Sequence, residues 1–370
     1  MRRGILVAVL LMAATGRCWP QAFDPNTPDG AMVAQIQSES DAAHKQALLE
    51  EFVEKFPTSK QAGWAWGQLQ GVYLQAQQYD KALAAGEKSL QSNPDSTEAA
   101  YNNLKAAEAK NDPDGVMKWS AETSKLTRKE AASPTADKAR VDYAKQVDTY
   151  TEYSVYAMSL KTTDPAKIVV LVSSLEQRNP QSPYLSKAYG RYLNALRQTG
   201  QGDKAGTEAE QELQRDPSNE DVLLFAADYN REKKDLAKTL TYSQKLIEVM
   251  QTKPKPEEVS DADWEKKKQT MMGVAYWMQG ISYNGQQQYG QADKALRQAL
   301  PLVKGDDQLL PVVLFQLGVA DFELGKTSKN RAMLQDALKF SQQSAAMKSP
   351  VQTDAANNVK TISRALGPRK

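Results

Sequence analysis

A single cysteine, Cys18, and a single histidine, His44, occur in a chain of 370 residues. With no second cysteine there is no disulfide framework, and without a Cys/His set a zinc site built from those ligands is excluded. A His-based catalytic triad would have to use His44, which stands in a helical stretch near Glu50 and Glu51. The sequence also lacks the G-x-x-x-x-G-K-[ST] and G-x-G-x-x-G phosphate loops, the G-x-S-x-G elbow and the H-E-x-x-H metal motif. Net charge is almost absent: 47 Lys+Arg against 45 Asp+Glu leave +2. That gives no bulk reason to expect nucleic acid, an anionic membrane surface or an acidic substrate. Carboxylate pairs such as Glu50-Glu51 and Asp306-Asp307 are adjacent in sequence, and adjacent residues do not share a helix face, so they read as solvated surface. No catalytic residue, metal or cofactor is expected.

What is present begins with an export signal over residues 1–22. Arg2 and Arg3 form a short basic region, and an apolar run of residues 4–15 follows. The run is shorter than the about 20 residues of a bilayer span. Cleavage is expected after Ala22, leaving Phe23 at the mature N-terminus and placing the protein in the periplasm or outside the cell. Two alternatives are an uncleaved tether and lipid attachment at Cys18, where Arg17 stands in place of the small residue a lipobox needs. Removing Arg2, Arg3 and Arg17 takes the charge from +2 to −1, so the slight basicity belongs to the signal. No other stretch is long and apolar enough to span a membrane.

The rest of the chain is an internal repeat. Residues 63–96 carry Trp66, Leu69, Tyr73, Tyr79, Ala82, Leu90 and Pro94. Aligning Ala292 with Ala82 sets a second unit from Gly273, with Tyr276, Gly280, Tyr283, Tyr289, Ala299 and Leu300. A third starts at Ser186 with Tyr189, Tyr192, Leu196, Gly200, Ala205, Leu213 and Pro217. Apolar residues recurring at helical spacing give each first helix one stripe, and the small alanines let a second helix approach closely. Looser units are expected at 41–57, 97–126, 148–180 (second helix from Asp164), 220–251 and 311–350, the last with Gly325 at its turn. Asn93-Pro94, Asn179-Pro180 and Asp216-Pro217 mark helix ends, because the residue before proline avoids helical geometry. Irregular segments are expected at 125–136 and, as an insertion with Pro254 and Pro256, at 251–263; residues 353–366 read as a capping helix.

This pattern resembles the tetratricopeptide repeat, in an exported bacterial form, whose unit of about 34 residues is a helix-turn-helix with the signature W-x2-L-G-x2-Y, then A, F and P. The resemblance covers most of residues 40–350 and implies an all-α, right-handed superhelical solenoid of about seven to eight units over residues 23–370. It also implies a non-enzymatic scaffold that docks protein or peptide on a concave groove lined by first helices. Carried over position by position, the groove candidates are Trp64, Gly67, Gly71 and Leu74; Lys187, Gly190, Asn194 and Arg197; Asp221, Leu224, Asp228 and Arg231; Trp277, Ile281 and Asn284; and Phe315, Val319 and Phe322. Those expected to hold the partner are Trp64, Leu74, Asn194, Arg197, Asp228, Arg231, Trp277, Asn284, Phe315 and Phe322. Trp64 lies about 200° round the helix from Trp66 and is expected to point away from the packing stripe. Tyr143, Tyr150, Tyr153 and Tyr156 are spaced to share one side of a long helix, as core or as a ligand face. Two other functions remain open: an outer-membrane-associated assembly factor, which the opening around Phe52 and Phe56 resembles, and a carbohydrate-binding solenoid using Trp64, Trp277 and the tyrosines.

Overall fold

The computed structural model describes residues 22–257 and 259–367. Cys18 and the segment expected to be an export signal, apart from Ala22, lie outside the described residues. Within them the chain forms 17 helices and no strand, and it divides into two compact units, Met1–Thr199 and Gly200–Lys370. The first holds α1 (Pro28–Ser38), α2 (Ala42–Lys55), α3 (Ala62–Gln75), α4 (Tyr79–Ser92), α5 (Thr97–Ala109), α6 (Pro113–Ala131), α7 (Lys138–Lys161), α8 (Pro165–Arg178) and α9 (Leu185–Gln198). The second holds α10 (Gly202–Arg215), α11 (Glu220–Glu232), α12 (Leu236–Thr252), α13 (Asp261–Gly285), α14 (Tyr289–Leu302), α15 (Leu309–Ser328), α16 (Arg331–Ala345) and α17 (Gln352–Leu366). The division falls between Thr199 and Gly200, inside the third repeat read from the sequence. None of the described helices is long and apolar enough to cross a membrane.

Short polar side chains start many of these helices. Asp41 accepts from the His44 N–H at 2.7 Å, Asp137 from Arg140 at 2.8 Å, Asp235 from Lys238 at 3.0 Å and Asn330 from Ala332 at 3.0 Å. Each such cap contributes about 1 kcal/mol. Helices α4, α8 and α10 stop at Asn93, Asn179 and Asp216, the residues before proline. A left-handed residue recurs where a first helix gives way to a second: Gln77, Asn111, Gly200, Lys234, Gln287 and Lys329, with φ between 52° and 78°.

The apolar stripes then pack. In the first unit Leu48, Leu49 and Phe52 of α2 cluster with Ala65, Leu69 and Tyr73 of α3, Ala82 and Ala85 of α4 and Ala106 of α5. In the second, Leu246, Ile247 and Met250 of α12 cluster with Trp264, Met271 and Ala275 of α13, and Ala292, Leu296 and Ala299 of α14 with Val313, Leu317 and Ala320 of α15. Helix α17 packs against α15 and α16, burying Ala355 and Ile362 as the capping helix expected at 353–366.

Three local expectations are corrected. The segment 125–136 is helical as far as Ala131, because Leu126 and Thr127 are buried and the Thr127 hydroxyl donates to the carbonyls of Thr123 and Ser124 at 2.9 Å; only residues 132–137 are irregular. The insertion is shorter than 251–263, since α12 reaches Thr252 and α13 begins at Asp261, capped by Ser260 and anchored by buried Trp264. Lys253 pins the remaining loop, donating to Glu220 Oε2 at 2.5 Å and the Ser218 carbonyl at 3.2 Å. Gly325 is not the turn residue: α15 runs on to Ser328 and turns at Lys329, while a Cβ at 325 would meet Leu334 Cδ2 at 2.9 Å.

Candidate partner-binding surface

First helices adjoin one another inside each unit: α3 meets α5, α5 meets α7 and α7 meets α9; α11 meets α13 and α13 meets α15. Each set forms a surface to which several helices contribute side chains.

In the second unit the sequence-derived candidates converge. Arg231 of α11 donates through Nε and Nη2 to Asp228 Oδ1 at 3.0 and 2.7 Å. Its guanidinium carbon lies 5.5 Å from the Trp277 ring centroid on α13. Two turns on, Asn284 Nδ2 donates to the carbonyl and the Oε1 of Gln316 on α15, at 3.1 and 2.9 Å. Trp277 Nε1 and Asn284 Oδ1 are buried and have no hydrogen-bond partner. Phe315 and Phe322 are half-buried on α15, with Lys326 Nζ 5.3 Å from the Phe322 ring. On the other hairpin faces, an apolar cleft of about 590 Å³ is lined by Leu300, Leu310, Leu314, Phe340 and Met347 with Lys304 and Lys339. None of the groove candidates lines it.

The first unit brings fewer of them together. Trp64 does not point away from the packing: Trp64, Trp66 and Leu74 are half-buried against one cluster, which reaches from α1 and α2 across α3 to α4 and α5 and so meets the helix on more than one side. On α9, Arg197 Nη2 donates to Asn194 Oδ1 at 3.2 Å, and Asn194 Nδ2 to the Gly190 carbonyl at 2.8 Å. His44 is exposed, its Nδ1 2.5 Å from Glu39 Oε2. The nearby Glu50 instead accepts from the Tyr73 hydroxyl at 2.8 Å.

The tyrosines of α7 form a more extended feature than their spacing predicts. Tyr150 contacts Tyr101 of α5 edge-on, with ring centroids 5.7 Å apart, and Tyr153 at 6.1 Å. Tyr184, just before α9, stands 5.7 Å from Tyr153 and stacks on Tyr156 at 5.6 Å. Tyr143 and Tyr153 remain 49% and 41% exposed. The Tyr150 hydroxyl donates to Glu108 Oε2 at 2.8 Å, and Lys105 Nζ sits 4.1 Å from the Tyr101 ring centroid. Burial pushes the Tyr101 phenol up to about 12 and the Lys105 ammonium down.

The groove candidates read from the sequence include no residue of α5. Yet Trp64, Gly67, Gly71 and Leu74, advanced by one repeat, become Glu98, Tyr101, Lys105 and Glu108. The left-handed turn residues supply that register: Gln77 and Asn111, and again Gly200 and Lys234, stand one repeat of about 34 residues apart. Within each unit the described residues form successive helical hairpins that recur at this spacing. In structure it is similar to the tetratricopeptide domain of P58(IPK), at 13% identity over 92% of this chain and 98% of that one, with a TM-score of 0.30. It is also similar to a monomeric mutant of IFIT1 determined with m7Gppp-AAAA, at 14% identity over 89% of this chain and 81% of that one, with a TM-score of 0.28. No family model and no curated protein sequence matches the chain.

Proposed function

We propose that this protein is a non-enzymatic scaffold of the periplasm or cell exterior that holds an extended segment of a partner protein on the first-helix faces of its repeats. The observation that carries this reading is the face shared by α11, α13 and α15, where positions chosen by repeat register alone meet as Asp228, Arg231, Trp277 and Asn284. An arginine beside a half-buried indole has the composition of a binding hot spot. Trp277 Nε1 is a donor and Asn284 Oδ1 an acceptor, each unpaired, and leaving such a group buried and unsatisfied costs about 1–3 kcal/mol. They are seven positions apart, about 10 Å along the helix, which about three residues of extended chain at about 3.3 Å each would span.

The export part of the reading rests on the basic and short apolar segments at the start of the sequence. Phe23, the residue expected to lead the mature chain, packs against the first unit's cluster. The test is affinity capture from envelope extract with residues 23–370, beside an Arg231→Ala/Phe322→Ala variant of unchanged helicity. A protein retained by the parent chain and lost from the variant supports the scaffold. Equal retention by both chains puts the docking surface elsewhere and overturns it.

A further inference from the structure

The cleft of about 590 Å³ in the second unit is built by three consecutive helices. Leu300 comes from the last turn of α14, Leu310 and Leu314 from the first turns of α15, and Phe340 from α16, with Met347 just beyond that helix. Leu314 is buried and the other four are half-buried. Leu300, Leu310 and Phe340 also pack on the buried cluster of α14 and α15, so the walls of the cleft continue into the core. The Phe340 ring lies 5.5 Å from the Arg297 guanidinium, which Asp293 and Asp321 hold in turn, and that anchors one wall. Lys339 and Ala346, both lining residues, stand seven positions apart, about 10 Å along α16. The cleft is therefore elongated.

Its polar lining is sparse and of one sign. Among the described residues the only charged side chains that line it are Lys304 and Lys339, and Gln343 is the one neutral polar side chain. Both lysines are exposed, and neither makes a hydrogen bond or ion pair among the described residues. Asp306, two positions from Lys304, is turned to the start of α15, where it accepts from the N–H groups of Gln308 and Leu309 at 2.9 Å. Neither Asp307 nor Asp336 pairs with the lysines or lines the cleft. A lysine lays its methylene stem along apolar surface and keeps its ammonium in water, so the arrangement is an apolar trough bordered by two unpaired cations. Its volume is that of a small-molecule site. A sugar or a peptide backbone would bury hydrogen-bonding groups that three side chains cannot meet. A neutral hydrocarbon leaves the ammonium groups unused, and a cationic amphiphile is repelled. An elongated apolar chain ending in a carboxylate uses both features.

We propose that this cleft binds a fatty carboxylate, its alkyl chain lying against Leu310, Leu314 and Phe340 and its carboxylate held at the lysine border. The site lies off the first-helix faces and does not rest on the scaffold reading. The test is calorimetric titration of residues 23–370 with decanoate, octanoate, decanol and decyltrimethylammonium below their micelle concentrations, and with phosphatidylglycerol vesicles. Decanoate should bind at a single site, and octanoate, two methylenes shorter, about tenfold more weakly. Decanol should bind more weakly than decanoate, and the ammonium not at all. Lys304→Gln/Lys339→Gln should lower decanoate affinity about tenfold and leave decanol unchanged, whereas Ala346→Phe, which fills the cleft from an exposed position, should abolish both. Unchanged melting of the variants checks that they are folded. No binding of decanoate, equal decanoate affinity in both variants, or decanol or the ammonium binding as tightly as decanoate overturns the proposal. Capture on the vesicles without decanoate binding also overturns it and assigns the lysines to a membrane surface.

Discussion

Facing residues of paired helices trade size against one another. Gly280 of α13 faces Leu296 of α14, and a Cβ at 280 would lie 2.3 Å from Leu296 Cγ. The equivalent positions of the first clear repeat are Gln70 and Gly86. There the first helix carries the large residue, whose Nε2 donates to the Ala99 carbonyl and Asn103 Oδ1 at 2.9 Å, while a Cβ at 86 would lie 2.2 Å from it. Gly318 and Ser341 repeat the arrangement at 2.2 Å. Gly280→Ala is therefore expected to destabilise the second unit by about 1–3 kcal/mol through overpacking, read as a lower urea midpoint. Leu296→Ala, which empties buried volume at the same contact, should cost less in the Gly280→Ala chain than it does alone, so that the two changes are not additive. Gly280 was legible as the repeat's glycine. Gln70 at the same position was not, because what accommodates it is a missing side chain on the next helix and a hydrogen-bond partner on the one after.

At the scale of elements, the helices and their order were readable from period and proline punctuation, whereas the lengths of α6, α13 and α15 were not. Helices α6 and α13 are extended by residues such as Thr127 and Trp264 whose burial depends on a neighbouring helix, and α15 by exposed residues whose Thr327 and Ser328 hydroxyls donate back to the carbonyls of Glu323 and Leu324. The contact of α14 and α15 has a further consequence, in its response to pH. Asp321 of α15 is fully buried, its Oδ2 accepting from Arg297 Nη2 at 2.9 Å and its Oδ1 without a partner. Burial pushes its carboxyl up to about 7, with Asp293 and Asp336 adding to the rise against the pull of Arg297. Arg297 is itself bonded to Asp293 at 2.6 Å, with its guanidinium over the Phe340 ring. A proton on Asp321 lets Oδ1 donate to the Asp293 carboxylate and removes the unpaired atom. Because the folded-state value lies above the ordinary one, the folded chain binds the extra proton, so this contribution to stability is fully present below the ordinary carboxylate range and is lost as pH rises through about 7. The melting temperature should fall between about pH 5 and about pH 8, and Asp321→Asn should flatten that fall. An unchanged slope in the variant would assign the pH dependence to other groups.

At the scale of the molecule, the repeat was legible because each hairpin buries the same stripe in the same register, from Trp66, Tyr73 and Ala82 to Tyr276, Tyr283 and Ala292. The proposed binding surface was only partly legible. Register alone brought Asp228, Arg231 and Trp277 to one place, since it fixes a face on each first helix. It misplaced Trp64, because a bulky indole reaches packing that the helix angle does not reveal. The α7 tyrosines were visible from spacing, but Tyr101 and Tyr184, which complete their surface, come from neighbouring elements. On the proposed function, partners dock on first helices. Hydrogen–deuterium exchange on residues 23–370, with and without the captured envelope protein, tests it most directly. New protection is expected along the partly exposed faces of α11, α13 and α15, with α12, α14 and α16 unchanged; protection confined to those second helices would place docking elsewhere and overturn the proposed function.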